Sequence, residues 1–231
     1  MIDEIKYGSE TIKYDLEYKD RKTLGITVTP EMRVLVKAPE FTSIEKVREK
    51  VKIRAPWILN QQSYFLSFHP RIPKRKYISG ETHFYLGRQY LLKVQEENFN
   101  QVKYLGGSIE VKAKNKKDAG KLLNSWYRNR ARIKFPEIAD PLIEKFKKYG
   151  VEPIGVYLQE MPTRWGSCTP KGKIILNPEL IKAPKPCIEY VITHELCHLI
   201  ERNHTKAFFE IQSKEMPDWK KWKDKLESLL A

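Results

Sequence analysis

Histidine is scarce in this chain, cysteine is scarcer, and a long apolar run is missing altogether: 231 residues hold five histidines and three cysteines. Each shortage excludes something. Without about eighteen consecutive apolar residues, the chain offers no candidate membrane-spanning helix. Its first segment, MIDEIKYGSETIKYDLEYKD, carries acids and no apolar stretch, so it does not read as a secretory signal. Cys168, Cys187 and Cys197 are odd in number and follow no disulfide-framework spacing, which favours a reducing cytoplasm. Hydrophobic residues still make up 41% and aromatics 11%, enough for the core of one large domain or two small ones. No internal repeat is visible.

Acidic residues are outnumbered, and the formal net charge is +14. The excess is +9 over residues 1–117 and +5 over residues 118–231. Such a field attracts nucleic acid, anionic surfaces or acidic polypeptides, although scattered lysines also serve solubility alone. Short basic clusters occur only at KRK (74–76) and KAKNKK (112–117). Weak, sequence-independent nucleic-acid binding by the basic half is therefore one expectation. Aromatics interleaved in KRKYISGETHFYLGRQY would supply stacking surfaces for it.

Residues 2–38 alternate apolar and polar side chains and predict antiparallel strands with a turn near Thr29–Glu31. A capping box at Thr42-Ser-Ile-Glu45 starts a helix, with Val47, Val51 and Trp57 in succession and Pro56 expected to bend or break it. YISGETHFYLGRQYLLKV predicts a second hairpin with Gly80 and Gly87 at turns, and weaker strand signal runs on through VKYLGGSIEVKAK. KAKNKKD is the boundary candidate, giving an amino-terminal β-rich region with one helix (1–117) and a second region (118–231). In the latter, Leu122, Leu123, Trp126 and Tyr127 form a helical stripe, Pro136 and Pro141 interrupt it, and Gly150 ends the next helix. Two strands, IGVYLQEM and KIILN, flank TRWGSCTPKG, and Asn177-Pro178 reads as a helix start. MPDWKKWKDKLESLL closes the chain as an amphipathic helix.

Three of the five histidines fall within THELCHLIERNH, residues 193–204. His194 and His198 are four apart, on one face of a helix expected to end near Glu201, and Glu195 completes H-E-x-x-H. The motif arises by chance in about one chain per hundred of this composition, and a third histidine at a fixed offset reduces that to about one in several thousand. His204 sits six residues after His198. Three neutral imidazoles leave one tetrahedral position open, the pattern of catalytic rather than structural zinc. Glu195 is then placed to act as general base on a metal-activated water. An unbroken helix would carry His204 about 9 Å along the axis from His198, too far to share an ion, so the chain must reverse between them. Asn203 is the residue best able to turn left-handed there. Rival donors are Cys197, Cys168, Glu210 and Glu215. Arg164 and Trp165, before a Gly-Ser expected to be flexible and close to the motif, are candidate substrate-binding residues, with packing the alternative role for Trp165.

The segments WGSC (165–168), Gly172, IILN (174–177), Leu180, Pro184, YVITHELCHL (190–199), NH (203–204) and Phe208 together resemble the YgjP-like metallopeptidase family, related to the SprT-like zincins. The dense match spans residues 164 to about 209. RKTLGITV, VKAPEF and YLGRQYLLKV agree more loosely. The resemblance implies an α+β chain with a zincin-like metalloprotease core and an amino-terminal antiparallel β region. It also implies a zinc-dependent hydrolase, a peptidase acting on polypeptide, with one ion per chain on His194, His198 and His204 and with Glu195 catalytic. The alternative from another class is a nucleic-acid-associated protein whose zinc site is non-catalytic or recruited to DNA.

Overall fold

The computed structural model describes residues 1–8, 10–29, 31–66, 75–162 and 164–230. It is α+β, and the chain divides into two compact units, Met1–Ile72 and Pro73–Leu230.

In the first unit, strands β1 (Ile2–Tyr7), β2 (Glu10–Lys19), β3 (Gly25–Val28) and β4 (Val34–Pro39) precede helix α1 (Ile44–Leu66). The sheet order is β1-β2-β4-β3. Alternation along β2 buries Ile12, Tyr14 and Leu16, and along β4 buries Val34, Val36 and Ala38. Helix α1 closes this core with Val47, Val51, Ala55 and Ile58, the inward stripe of a 3.6-residue period. Trp57 is 41% exposed, because Ala55 and Ile58 hold the inward positions. The helix runs through Pro56 without interruption. The expected turn forms where Met32 N–H donates to the Thr29 carbonyl at 2.8 Å, and Pro30 lies outside the described residues. Asp3 fastens α1 to β1 by accepting from Arg48 Nε at 3.1 Å and Nη2 at 2.9 Å.

The second unit begins with β5 (Thr82–Tyr85), β6 (Arg88–Glu96), β7 (Gln101–Leu105), β8 (Ser108–Ala113) and the 28-residue helix α2 (Ala119–Phe146). Its sheet order is β5-β6-β8-β7, the order of the first unit's sheet with every strand sense repeated. In each sheet two antiparallel hairpins are joined by one parallel pair, β2 with β4 and β6 with β8. Two findings correct the sequence reading: the sheets are mixed rather than wholly antiparallel, and a ββββα unit occurs twice. Alternation reports which face a residue takes, not the direction of its neighbour, so strand sense was invisible. Within the matched central strands β4 and β8, only the identical Val36-Lys37-Ala38 and Val111-Lys112-Ala113 carry the repeat openly.

Gly80 and Gly87 have positive φ at the expected turns. At the β5–β6 tip, Leu86 and Gly87 donate to the carbonyls of Ile181 and Lys182 at 2.9 and 3.0 Å. A Cβ at position 87 would lie 2.7 Å from Pro184, so the hairpin docks only with glycine there. Tyr127 of α2 donates to the Phe84 carbonyl at 2.7 Å, and Leu123 and Tyr127 share a core with Leu92, Ile109 and Val111. These contacts join β5–β8 to α2 and the 3-10 turn at Pro178–Lys182 in one body, so the 117/118 boundary expected from composition falls inside the second unit. Pro136 and Pro141 lie within continuous α2, where buried Ala131, Phe135, Ile138 and Ala139 supply the packing that offsets missing backbone bonds.

Beyond α2 come β9 (Gly155–Leu158), β10 (Gly166–Cys168) and β11 (Lys173–Leu176), in the order β10-β11-β9. Asn177 caps the short 3-10 turn as expected, and its amide also donates to the carbonyls of Met161 and Arg164 at 2.9 and 3.2 Å. That side chain therefore holds the loop that leads into β10. Helices α3 (Lys185–Cys197), α4 (Lys206–Glu215) and α5 (Trp219–Leu230) complete the unit, with Leu226 of α5 in the core.

Candidate metal centre

Helix α3 buries Ile188, Val191, Ile192, Glu195 and Leu196 and ends at Cys197, one turn before the Glu201 end expected from the sequence. Tight bonds from Leu199 N–H to the Leu196 carbonyl and from Ile200 N–H to the Cys197 carbonyl, both 3.0 Å, turn the chain out of the helix. Asn203 does not take the left-handed conformation; its N–H is instead fixed by the Glu201 carboxylate at 3.2 Å. Thr205 then caps α4 through the Phe208 N–H. The reversal is built from side-chain and carbonyl acceptors, which removes the need for a glycine.

Its result is a near-regular triangle of imidazoles. Ring centroids are 5.0 Å apart for His194 and His198, 4.9 Å for His194 and His204, and 4.8 Å for His198 and His204. Phe208, fully buried, lies 4.9, 4.7 and 4.8 Å from the three in turn and packs behind them. One donor nitrogen from each histidine lies within 4.8 Å of the others, and Nε2 of His194 and His204 are 3.0 Å apart. Two nitrogens about 2.0–2.1 Å from one tetrahedral ion stand roughly 3.3 Å apart, so the donor set fits a single divalent cation. Burial, and then the neighbouring His198 and His204, lower the His194 pKa to about 4, so its ring is neutral and has a lone pair to give. His198 Nδ1 faces the Glu201 carbonyl at 3.2 Å and His194 Nδ1 faces Gln212 Oε1 at 3.1 Å.

Glu195 is buried beside this triangle, and burial raises its pKa to about 7 against the opposing effects of the Cys168 N–H and the Arg164 charge. A cation nearby favours its ionised form. Strand β10 can reach the carboxylate because residue 166 is glycine: a Cβ there would lie 2.7 Å from Glu195 Oε1 and 2.8 Å from Val191 Cγ1. Gly166 and Ser167 are thus close to the motif helix as expected, but as part of a strand.

Glu195 and the three histidines line a cleft of about 790 Å³, together with Arg164, Trp165, Tyr190, Arg202 and Glu227. Arg164 is exposed, whereas Trp165 is half-buried against the core and donates to Glu227. Both sequence candidates therefore reach the cleft. Sequence reasoning missed Gln212, Glu227 and the steric role of Gly166. Gln212 alone had a signal, being a polar residue on the inward stripe Phe208-Gln212-Glu215 of α4.

Among the described residues, none of the rival donors joins the three-histidine cluster. Cys197 is buried in the core, and burial followed by Glu215 and Glu195 pushes its thiol up to about 12. Cys168 lines the cleft, with its thiol raised by burial, and Glu210 pairs with Lys206 at the surface. Glu215 faces the end of α2, where it accepts from Tyr149 at 2.5 Å and pairs with Lys148 at 2.8 Å and Lys145 at 3.1 Å.

A helix with H-E-x-x-H and a third convergent histidine is the arrangement of a metal-dependent hydrolase. The chain belongs to the YgjP-like family, whose metallopeptidase-domain model matches residues 22–229. No curated protein matches it. Among solved structures it is similar to the metallopeptidase zymogen abylysin of Pyrococcus abyssi, at 22% identity and a TM-score of 0.36, over 40% of this chain and 94% of that one. Family membership makes the chain a metal-dependent peptidase at family level. No helix among the described residues is long and apolar enough to cross a membrane.

Glu215 gives a stability test that is separate from the metal. Burial would raise its pKa, but the bonds from Lys148, Tyr149 and Lys145 outweigh this and hold it at about 2. A depressed folded-state pKa contributes stability above the unfolded value, about 4.3, and that contribution fades as pH falls. Glu215→Gln should cost about 2 kcal/mol at pH 7 in urea unfolding. The gap from wild type should close between about pH 5 and pH 2. A gap that stays constant with pH would show that the carboxylate charge contributes nothing.

Proposed function

We propose that this chain is a zinc-dependent peptidase in which His194, His198 and His204 hold one ion and Glu195 moves the proton. The carrying observation is the convergence of three imidazoles beside a buried carboxylate in an open cleft. Zinc bound there would polarise a substrate carbonyl and lower the pKa of a coordinated water. Glu195, held by the Cys168 N–H, takes the proton of the attacking water and returns it to the departing amine. Phe208 keeps water from the rear of the triangle, so the reacting groups meet on the cleft side. Arg164 binds a substrate carbonyl or carboxylate, while Trp165 packs along the chain and steadies Glu227. All of these residues lie within 118–231, so the 117/118 division is one of labour rather than of folding. Three free cysteines suit a cytoplasmic setting.

His204→Ala should reduce zinc content from one ion per chain to well below one after dialysis, measured by elemental analysis. Glu195→Gln should keep the ion and the fold, because an amide can hydrogen-bond the water without accepting its proton. Its cleavage of a denatured protein should fall by about 10²–10⁴-fold. Unchanged zinc in the first variant sinks the third ligand, and unchanged cleavage in the second removes Glu195 from the chemistry.

One observation favours a second activity alongside the first. Lys76 from KRK and Lys116 and Lys117 from KAKNKK, forty residues apart in sequence, meet with Lys121 and Tyr77 around a separate cavity of about 630 Å³. No acid lines it. Lys74 lies outside the described residues, and Tyr85 and Tyr90, two of the aromatics in the stretch with stacking potential, are buried in the core. Phosphates of single-stranded nucleic acid suit such a pocket. Reversing the charge at Lys76, Lys116 and Lys117 should weaken oligonucleotide binding and flatten its dependence on log salt by about 0.7 per lost contact. Absence of binding by the wild type at low salt would leave the lysines a solubilising role only.

A further inference from the structure

Gln212 lies on the inward face of α4, one turn beyond Phe208, and is completely buried. Its Oε1 is 3.1 Å from His194 Nδ1, while its Nε2 has no hydrogen-bond partner among the described residues. A leucine or methionine would fill this place without stranding a buried donor, so stability does not explain an amide here. The explanation lies at His194.

An amide oxygen only accepts hydrogen bonds, so this contact requires the ring proton on Nδ1. Nε2 of His194 then presents its lone pair toward His204 Nε2, 3.0 Å away, where the donor set converges. With the amide reversed, its N–H would face Nδ1 and drive the ring proton to Nε2, into the space an ion needs. His198 is supported in the same sense by a backbone carbonyl, that of Glu201, at 3.2 Å. Among the described residues, Gln212 is therefore the side chain that sets a ligand's tautomer, and it does so without adding charge.

We propose that Gln212 is a positioning residue that fixes His194 in its metal-ready tautomer and orientation. This rests on the reading of His194, His198 and His204 as a zinc site. Partners of this kind typically change metal affinity by about 10–100-fold when removed.

The full-length chain, Gln212→Met and Gln212→Glu would be compared. Methionine keeps the volume and removes the acceptor; glutamate keeps the acceptor. Competition against a chelator should show zinc binding about 10–100-fold weaker in Gln212→Met and at least as tight as wild type in Gln212→Glu. Nitrogen-15 NMR of the metal-free chain should find His194 protonated on Nδ1 in wild type and Gln212→Glu, and shifted toward Nε2 in Gln212→Met. Zinc affinity within twofold of wild type in Gln212→Met, with the tautomer unchanged, overturns the proposal. If Gln212→Met does not fold, Gln212→Glu decides, and a tenfold loss of affinity there overturns it equally. If wild type binds no zinc at all, the metal reading falls, while the tautomer of the metal-free chain still tests the role of Gln212.

Discussion

The reversal of the chain between Cys197 and Lys206 is the constraint on which the site depends. A continuing helix would separate His198 from His204 by about 9 Å along its axis, and no ion could bridge them. Ending α3 at Cys197 frees the Glu201 carbonyl to face His198 and brings α4 back beneath the motif. Phe208 then packs at 4.7–4.9 Å from all three imidazoles, so one buried ring sets the spacing of the whole triangle. The next inward positions on α4 are equally occupied: Gln212 faces His194, and Glu215 binds the end of α2. One short helix thus joins the spacing of the imidazoles, the contact that orients His194 and the anchoring of the unit.

The opposite wall is set by steric fit. Glycine at 166 admits β10 to the flank of α3, and Asn177 fixes the loop entering that strand. The result is a buried carboxylate with open cleft on one side and packed strand on the other. Burial raises the Glu195 pKa to about 7 against the Cys168 N–H and the Arg164 charge, and under the proposed function a cation in the triangle would favour the ionised, proton-accepting form.

What the sequence disclosed divides along physical lines. The approach of His194 and His198 was legible because helical periodicity puts them on one face, Glu195 stood out through the H-E-x-x-H pattern, and His204 through its offset, a known third-ligand spacing. Strands were legible from alternation, and the Asn177-Pro178 start from capping chemistry. The end of α3 was misplaced because apolar spacing continues through Leu199 and Ile200, while tight turn bonds, which leave no compositional mark, stop the helix. Strand sense and the doubled ββββα unit were hidden for the same reason: pairing is a long-range property, and only a shared Val-Lys-Ala survives in the matched strands. The prolines at 56, 136 and 141 argued for breaks that packing overrides. Glu227 and Gly166 had no local signal, since their roles exist only where separate elements meet.

The central claim is that one cation is held by three imidazoles and by no thiolate or carboxylate. Anomalous diffraction from zinc-loaded crystals of the chain, recorded on both sides of the zinc edge, tests it most directly. The account predicts a single peak per chain, about 2.0–2.1 Å from one nitrogen of each of His194, His198 and His204, with the fourth position facing the cleft. A peak coordinated by Cys168, Cys197 or Glu215, or one that leaves His204 unbound, would contradict it.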